Sequence, residues 1–218
     1  MRFIKLFPAV VLGAIVLMSC QNTKVEREHE SLTPMSFEKV AFEDDFWLPR
    51  LKTQKETLVP FSLSKTEQAV ENLRRVGEWV QKGRGQKLLP LPRYVSSDLF
   101  KVMEGVAYIL MLEKDAALEA KMDEIIDIIA AAQKPDGYLY EHHILPAHLR
   151  NKSNNRAAGK TPYSNVGSSH ELYNMGHMYE AAIAYYQATG KRKWLDVAEK
   201  SAQHINKVFF EGDANYNG

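Results

Sequence analysis

Ser168-Ser169-His170-Glu171-Leu172-Tyr173-Asn174-Met175-Gly176-His177-Met178-Tyr179-Glu180-Ala181-Ala182 places two histidines and two glutamates on the opening turns of an otherwise apolar run. Leu172, Met175, Tyr179, Ala182, Ile183 and Tyr186 follow the i, i+3, i+4, i+7 spacing of a helix with one buried face. Ser168 and Glu171 have capping-box spacing, which starts that helix at Ser168. A helix that only builds a core gains nothing from desolvating polar groups, so this cluster points toward a cleft. His170 and His177 are seven positions apart and share a face. Seven residues rise about 10 Å. Two rings reach one zinc from i, i+4 positions, so the spacing argues against a metalloprotease. Neutral imidazole donates and accepts hydrogen bonds, which suits recognition of hydroxyl groups, and Glu180 is placed to orient His177. The competing reading is that both histidines are satisfied polar groups at a helix start.

The same period runs outward in both directions. Ala69, Leu73, Val76 and Val80 form one stripe. Leu99, Met103, Val106 and Leu110 form a second, and Leu118, Met122, Ile125, Ile126 and Ile129 a third. Beyond the opening helix, Leu195, Ala198, Ala202, Ile205 and Phe209 form another. Ser96-Ser97-Asp98 predicts a cap for a helix beginning near Leu99. Pro135-Asp136-Gly137 predicts a turn, and Gly190 a helix end. Phe37 to Phe42 is the one candidate strand. Asn151 to Asn165 reads as a long surface loop, and Asn151-Lys152-Ser153 as a chance glycosylation sequon. Phe46 and Trp47 are assigned to packing. Gln133 to His143 reads as a surface turn with tyrosines packed on the domain, or as a cleft lining. Val106-Ala107-Tyr108-Ile109 and Ile183-Ala184-Tyr185-Tyr186 each lead into a further helix, which suggests paired helices repeated in a solenoid or toroid. The fold expected is all-α, and two helix pairs are too few to close a ring.

The N-terminus reads as an export signal. Arg2 and Lys5 precede the apolar run Leu6 to Met18, and Leu17-Met18-Ser19-Cys20 resembles a lipobox in which Cys20 is acylated. A plain secretory signal or an uncleaved anchor is the alternative. The domains expected are a signal over residues 1–20, a polar tether over 21–36, and one helical domain over 37–218, anchored to the bacterial cell envelope through lipid. Cys20 is the only cysteine, so neither a disulfide nor a cysteine metal site is expected in the mature chain. With 28 basic against 27 acidic residues the net charge is +1. The cations between Leu73 and Arg84 are interrupted by Glu78 and form a solvated face, so nucleic acid is not an expected partner. Asp213 to Gly218 opens like a calcium loop, but the required glutamate lies beyond the last residue.

Several segments, taken in order, resemble glycoside hydrolase family 127, the β-L-arabinofuranosidase-like family. They are Phe42 to Arg50, Ser97 to Tyr108, Ile128 to Gln133 with Asp136-Gly137-Tyr138-Leu139, His170-Glu171-Leu172-Tyr173 with Gly176-His177 and Glu180-Ala181-Ala182, and Ala184 to Gly190. The resemblance implies the N-terminal portion of an (α/α)6 barrel of the six-hairpin glycosidase kind, incomplete in this chain. It implies release of terminal β-L-arabinofuranose with retention, by a zinc-bound cysteine thiolate and a glutamate acid/base. The family's zinc ligands and catalytic groups come later than Gly218, so none is expected here, and residues 1–218 alone are not expected to hydrolyse glycosides. His170 matches the family histidine that contacts the sugar. His177, Glu171, Tyr173 and Asp98 are further candidate substrate-binding residues that line the pocket or hold His170. The partner expected is an arabinose-containing oligosaccharide or plant polysaccharide. The rival reading is a lipid-anchored helical-repeat module that binds glycan or protein without catalysis. A partial barrel would expose apolar helix faces and self-associate.

Overall fold

The computed structural model describes residues 33–36 and 39–212. Cys20, most of the tether and the calcium-like segment lie outside the described residues. Among the described residues there is no strand, and no helix is long and apolar enough to cross a membrane. The expected strand at Phe37 to Phe42 is corrected where it is described. Lys39 makes a turn in which its N–H donates to Ser36 O (3.0 Å), and Val40 to Phe42 is irregular.

Helix α1 (Trp47–Thr53) passes through a widened turn, Gln54–Leu58, into α2 (Val59–Lys82). Pro60 explains the widening, because its ring lacks an N–H and crowds the carbonyl one turn back. Val59 N–H accordingly donates to Gln54 O, five residues before it. Gly83 closes α2 in a left-handed conformation (φ 64°), its N–H donating to Trp79 O. Three further expected helices follow: α3 (Val95–Leu112), α4 (Ala116–Ala132) and α5 (Glu171–Thr189). Then comes α6 (Lys193–Asn206), which continues into a widened turn, Lys207–Glu211. Asp115 caps α4 by accepting from Leu118 N (3.1 Å).

The helices alternate between two layers. α3 and α5 pack side by side in one, α2 lies against α3 and α4, and α6 lies against α4 and α5. This alternation is that of part of an (α/α) barrel, and α3–α4 and α5–α6 are the two pairs expected from the repeat. Between the layers sit Leu99, Met103, Val106 and Leu110 of α3 with Met122, Ile126 and Ile129 of α4, all essentially sealed from solvent. Each such side chain contributes about 1.5–3 kcal/mol by leaving water. Trp194 fills the corner beside Phe100 and Tyr185, its ring centroid 6.4 and 6.2 Å from theirs.

Two stripes differ from expectation. On α5 the buried arc is Met175, Met178, Ala181, Ala182, Tyr185 and Ala188, whereas Ile183 is 47% exposed and Tyr186 38%. A helix pressed by α3 on one side and α6 on the other buries two flanks of small residues rather than one stripe. On α6 the buried residues are Trp194, Val197, Ala198, Ser201 and His204, rotated away from Ala202 and Phe209. Phe46 and Trp47 are not packed in the core. Both are more than half exposed, Arg50 lies 3.6 Å over the Phe46 ring, and Asp44 caps the backbone N–H groups of Phe46 and Trp47.

Asn151 to Asn165 is not a simple surface loop. It forms short helical turns at Lys152–Asn154 and Asn155–Ala158. Asn151 is buried and Ala158 fully so, and the amides of Asn151 and Asn154 both donate to Leu91 O (3.1 and 2.9 Å). That burial agrees with reading the sequon as chance.

Candidate functional site

The capping box is absent. A short helix, Val166–Ser169, precedes α5, and His170 joins the two in the left-handed conformation (φ 62°, ψ 17°). Non-glycine residues rarely adopt it, and such strain persists where the surroundings impose it. His170 Nδ1 lies 2.9 Å from Ser168 O. A carbonyl only accepts, so Nδ1 carries the proton and Nε2 of the neutral ring keeps a lone pair. The ring stands 5.4 Å from Tyr94 and 5.5 Å from Tyr173, edge-on to the latter.

Tyr173 continues the row, edge-on to His177 at 4.7 Å. The shared face of His170 and His177 therefore exists, with Tyr173 between them. His177 Nδ1 is 3.3 Å from Glu180 Oε2, close enough for attraction but not aligned as a hydrogen bond. From α3, Lys101 Nζ donates to Tyr173 OH (2.8 Å) and sits 3.7 Å from Asp98 Oδ1. The hydrogen bond to Tyr173 raises the Lys101 pKa, with Asp98 adding to it, so Lys101 is charged at neutral pH. Asp98 does not cap α3, which starts earlier, at Val95. Ser97 donates to Tyr94 O and Ser96 to the Glu141 carboxylate. The assembled surface offers a cation, a carboxylate, an imidazole lone pair and aromatic edges, a set suited to hydroxyl groups on a ring with an apolar face.

The sequence profile of the beta-L-arabinofuranosidase GH127 catalytic domain matches residues 39–215. The chain belongs to the GH127 family. The non-reducing end beta-L-arabinofuranosidase of Bifidobacterium longum subsp. longum is 35% identical over 125 residues, 57% of this chain and 18% of that protein. A solved GH127 beta-arabinofuranosidase superposes with a TM-score of 0.69 at 36% identity, covering 80% of this chain and 27% of that one. A GH127 beta-L-arabinofuranosidase from Geobacillus stearothermophilus T6 gives 0.67 at 30% identity, with the same two coverages. The chain therefore spans well under a third of the length of these relatives.

Within this GH127 chain the five candidate residues divide. His170, Tyr173, His177 and Asp98 lie on or beside one partly exposed surface. Glu171 does not: it is 2% exposed and faces the opposite way. Its carboxylate accepts from Tyr138 OH (2.5 Å) and Tyr163 N (3.1 Å). It is a structural anchor, for a reason no local spacing reveals, since Tyr138 is 33 residues away. Glu171→Ala should cost about 2–3 kcal/mol, because both donors lose a charged acceptor in a buried place. Tyr173→Ala should cost less, about 1 kcal/mol, as expected of a side chain 46% exposed whose hydroxyl faces solvent-accessible Lys101. Urea denaturation of the two variants decides this, and equal losses would contradict the assignment.

Two contributors were missed as site residues. Lys101 was legible only as a residue one turn beyond Asp98, and Tyr94 carried no signal at all. Of Gln133 to His143, three residues, Tyr140, Glu141 and His142, border a small cavity together with Arg93, Asn151 and Asn154. Tyr138, Tyr140, Glu141, His142 and His143 are all buried, so the tyrosines do pack on the domain, though inside it rather than at its surface.

His142 has neither ring nitrogen at hydrogen-bond geometry. Burial, reinforced by His143 and Arg150, pushes its pKa from 6.5 down to about 4, and Asn155 opposes this only weakly. The unfolded chain therefore takes up a proton that the fold refuses. The stability His142 allows above pH 6.5 is lost as pH falls from there toward 4. Neighbouring Glu141 is raised by burial and acts oppositely, favouring the fold at the acid end. Melting curves at pH 7 and pH 5 should show a smaller acid loss for His142→Leu than for the wild type. Identical losses would contradict the assignment.

Proposed function

We propose that this protein is a glycoside hydrolase of the bacterial cell envelope that releases terminal β-L-arabinofuranose from plant glycans. The observation that carries the reading is His170. In a GH127 chain, at the position matching the family's sugar-contacting histidine, a strained backbone and a bond to Ser168 O leave Nε2 free beside Tyr94 and Tyr173, and the Tyr173 hydroxyl accepts from Lys101. Nε2 accepts a hydrogen bond from a sugar hydroxyl, Lys101 donates one, and the tyrosines bound the ring. These groups bind and orient the terminal sugar, which is where positioning lowers a barrier.

Zinc is part of the proposal only through the family. Among the described residues no three His, Cys, Asp or Glu side chains gather to hold a metal ion. The described residues do not form its site. The nucleophile and acid/base are proposed to lie outside the described residues. Cys20 is proposed as a lipid attachment point, which loss of radiolabelled palmitate from a Cys20→Ser variant would support.

The test is release of L-arabinose from p-nitrophenyl β-L-arabinofuranoside by the full-length protein. Release supports the hydrolase. Binding of arabino-oligosaccharide without release supports the non-catalytic glycan-binding module instead.

A further inference from the structure

The Ser168 carbonyl receives two donors. One is His170 Nδ1 at 2.9 Å, and the other is Arg93 Nε, from the segment just before α3. Arg93 is held in turn, its own carbonyl accepting from Asn174 Nδ2 (3.1 Å) one turn into α5. The next carbonyl of the same turn, Ser169 O, accepts from the Tyr140 hydroxyl (2.8 Å). The turn that carries His170 is thus gripped at two consecutive carbonyls by residues far away in sequence.

The consequences for the two grips differ. Ser169 O does not touch the imidazole, so Tyr140 fixes backbone only. Ser168 O is the acceptor that decides which ring nitrogen carries the proton. If that carbonyl swings away, Nδ1 loses its partner and the ring is free to exchange tautomers and rotate. We propose that Arg93 is a positioning residue which, by holding Ser168 O, fixes His170 with Nδ1 protonated and Nε2 open as an acceptor. The proposal rests on the reading of His170 as a sugar contact, but its physical core, a tautomer fixed from outside the ring, stands apart from that reading.

The experiment is nitrogen NMR of the chain labelled with [15N]histidine. The sequence has seven histidines, and a His170→Gln spectrum identifies the His170 signals. In the wild type, His170 should show a protonated Nδ1 and a bare Nε2. In Arg93→Met the two shifts should move toward each other as tautomers mix, whereas Tyr140→Phe should leave them in place. Should Arg93→Met not fold, Arg93→Ser removes the Nε donor and leaves a polar side chain too short to replace it at Ser168 O, and it is read the same way. An unchanged His170 pattern in a folded Arg93 variant would overturn the proposal, as would equal movement in Tyr140→Phe. Methyl β-L-arabinofuranoside is then titrated into wild type and variant of the full-length protein, where a loss of about 10-fold in affinity is expected. If the tautomer shifts but the wild type binds no such sugar, the functional reading fails and the positioning role stands.

Discussion

Replacing His170 by alanine is expected to cut turnover of an arabinofuranoside by the full-length protein about 100-fold, while the fold survives. A hydrogen bond that tightens as charge develops on the sugar is worth about 2–3 kcal/mol in a preorganised site, which is that factor in rate. The fold survives because His170 is half-buried and, among the described residues, its ring hydrogen-bonds to Ser168 O alone, two residues away. Glycine sharpens the test. At φ 62° a side chain costs about 1–2 kcal/mol that glycine avoids. His170→Gly should therefore melt no lower than the wild type and be as inactive as the alanine variant. A gain or tie in stability with loss of activity marks a strained functional residue. If His170→Ala retains most of its turnover, or His170→Gly melts well below the wild type, the assignment of His170 fails.

The largest effect on stability is expected at Gly137. Its φ is 96°, and a Cβ there would lie 2.4 Å from Lys200 O and 3.0 Å from His204 Cβ. The first of these is backbone of α6 and cannot rotate aside. The turn is also bolted to α6 from both sides. Gln133 Nε2 donates to Gly137 O (3.1 Å) and to Val197 O (2.9 Å), and His204 Nδ1 donates to Asp136 O (3.1 Å). Alanine must push α6 off α4 or break these bonds, and backbone strain adds to the overlap. The loss should be about 4 kcal/mol, a fall in melting temperature of roughly 8–16 °C for a chain of this size. Gly190 is the control. It is also left-handed (φ 72°), but no atom lies within 4 Å of where its Cβ would be. Gly190→Ala should therefore show only the conformational cost, about 1–2 kcal/mol. Similar losses at the two sites would mean that the close approach of turn and helix is not what glycine serves at residue 137.

These two residues also show how much was legible beforehand. His170 stood out as a polar residue at a helix start, and Gly137 as a turn residue after Pro135 and Asp136. The left-handed geometry of His170 was not legible, since the capping-box spacing of Ser168 and Glu171 pointed to an ordinary helix start. Glu171 misled for the same reason. A glutamate at that spacing reads as a cap or a site residue until Tyr138 and Tyr163 arrive behind it. Lys101 joined the site only when α3 came to lie along α5.

The sequence by itself determined the all-α class, the courses of the five long helices, the turn at Gly137 and the stop at Gly190. These depend on periodicity and backbone preference within a few residues, which are local properties. It also carried the family, because several short matches kept their order and spacing. Only the tertiary structure decided which flanks of α5 and α6 are buried, that Glu171 is an anchor, and which nitrogen of His170 is free. The buried flanks and the role of Glu171 depend on partners dozens of residues away, and the His170 nitrogen on a left-handed turn that brings Ser168 O against the ring; hydrogen bonding and burial are settled by what the fold brings within reach.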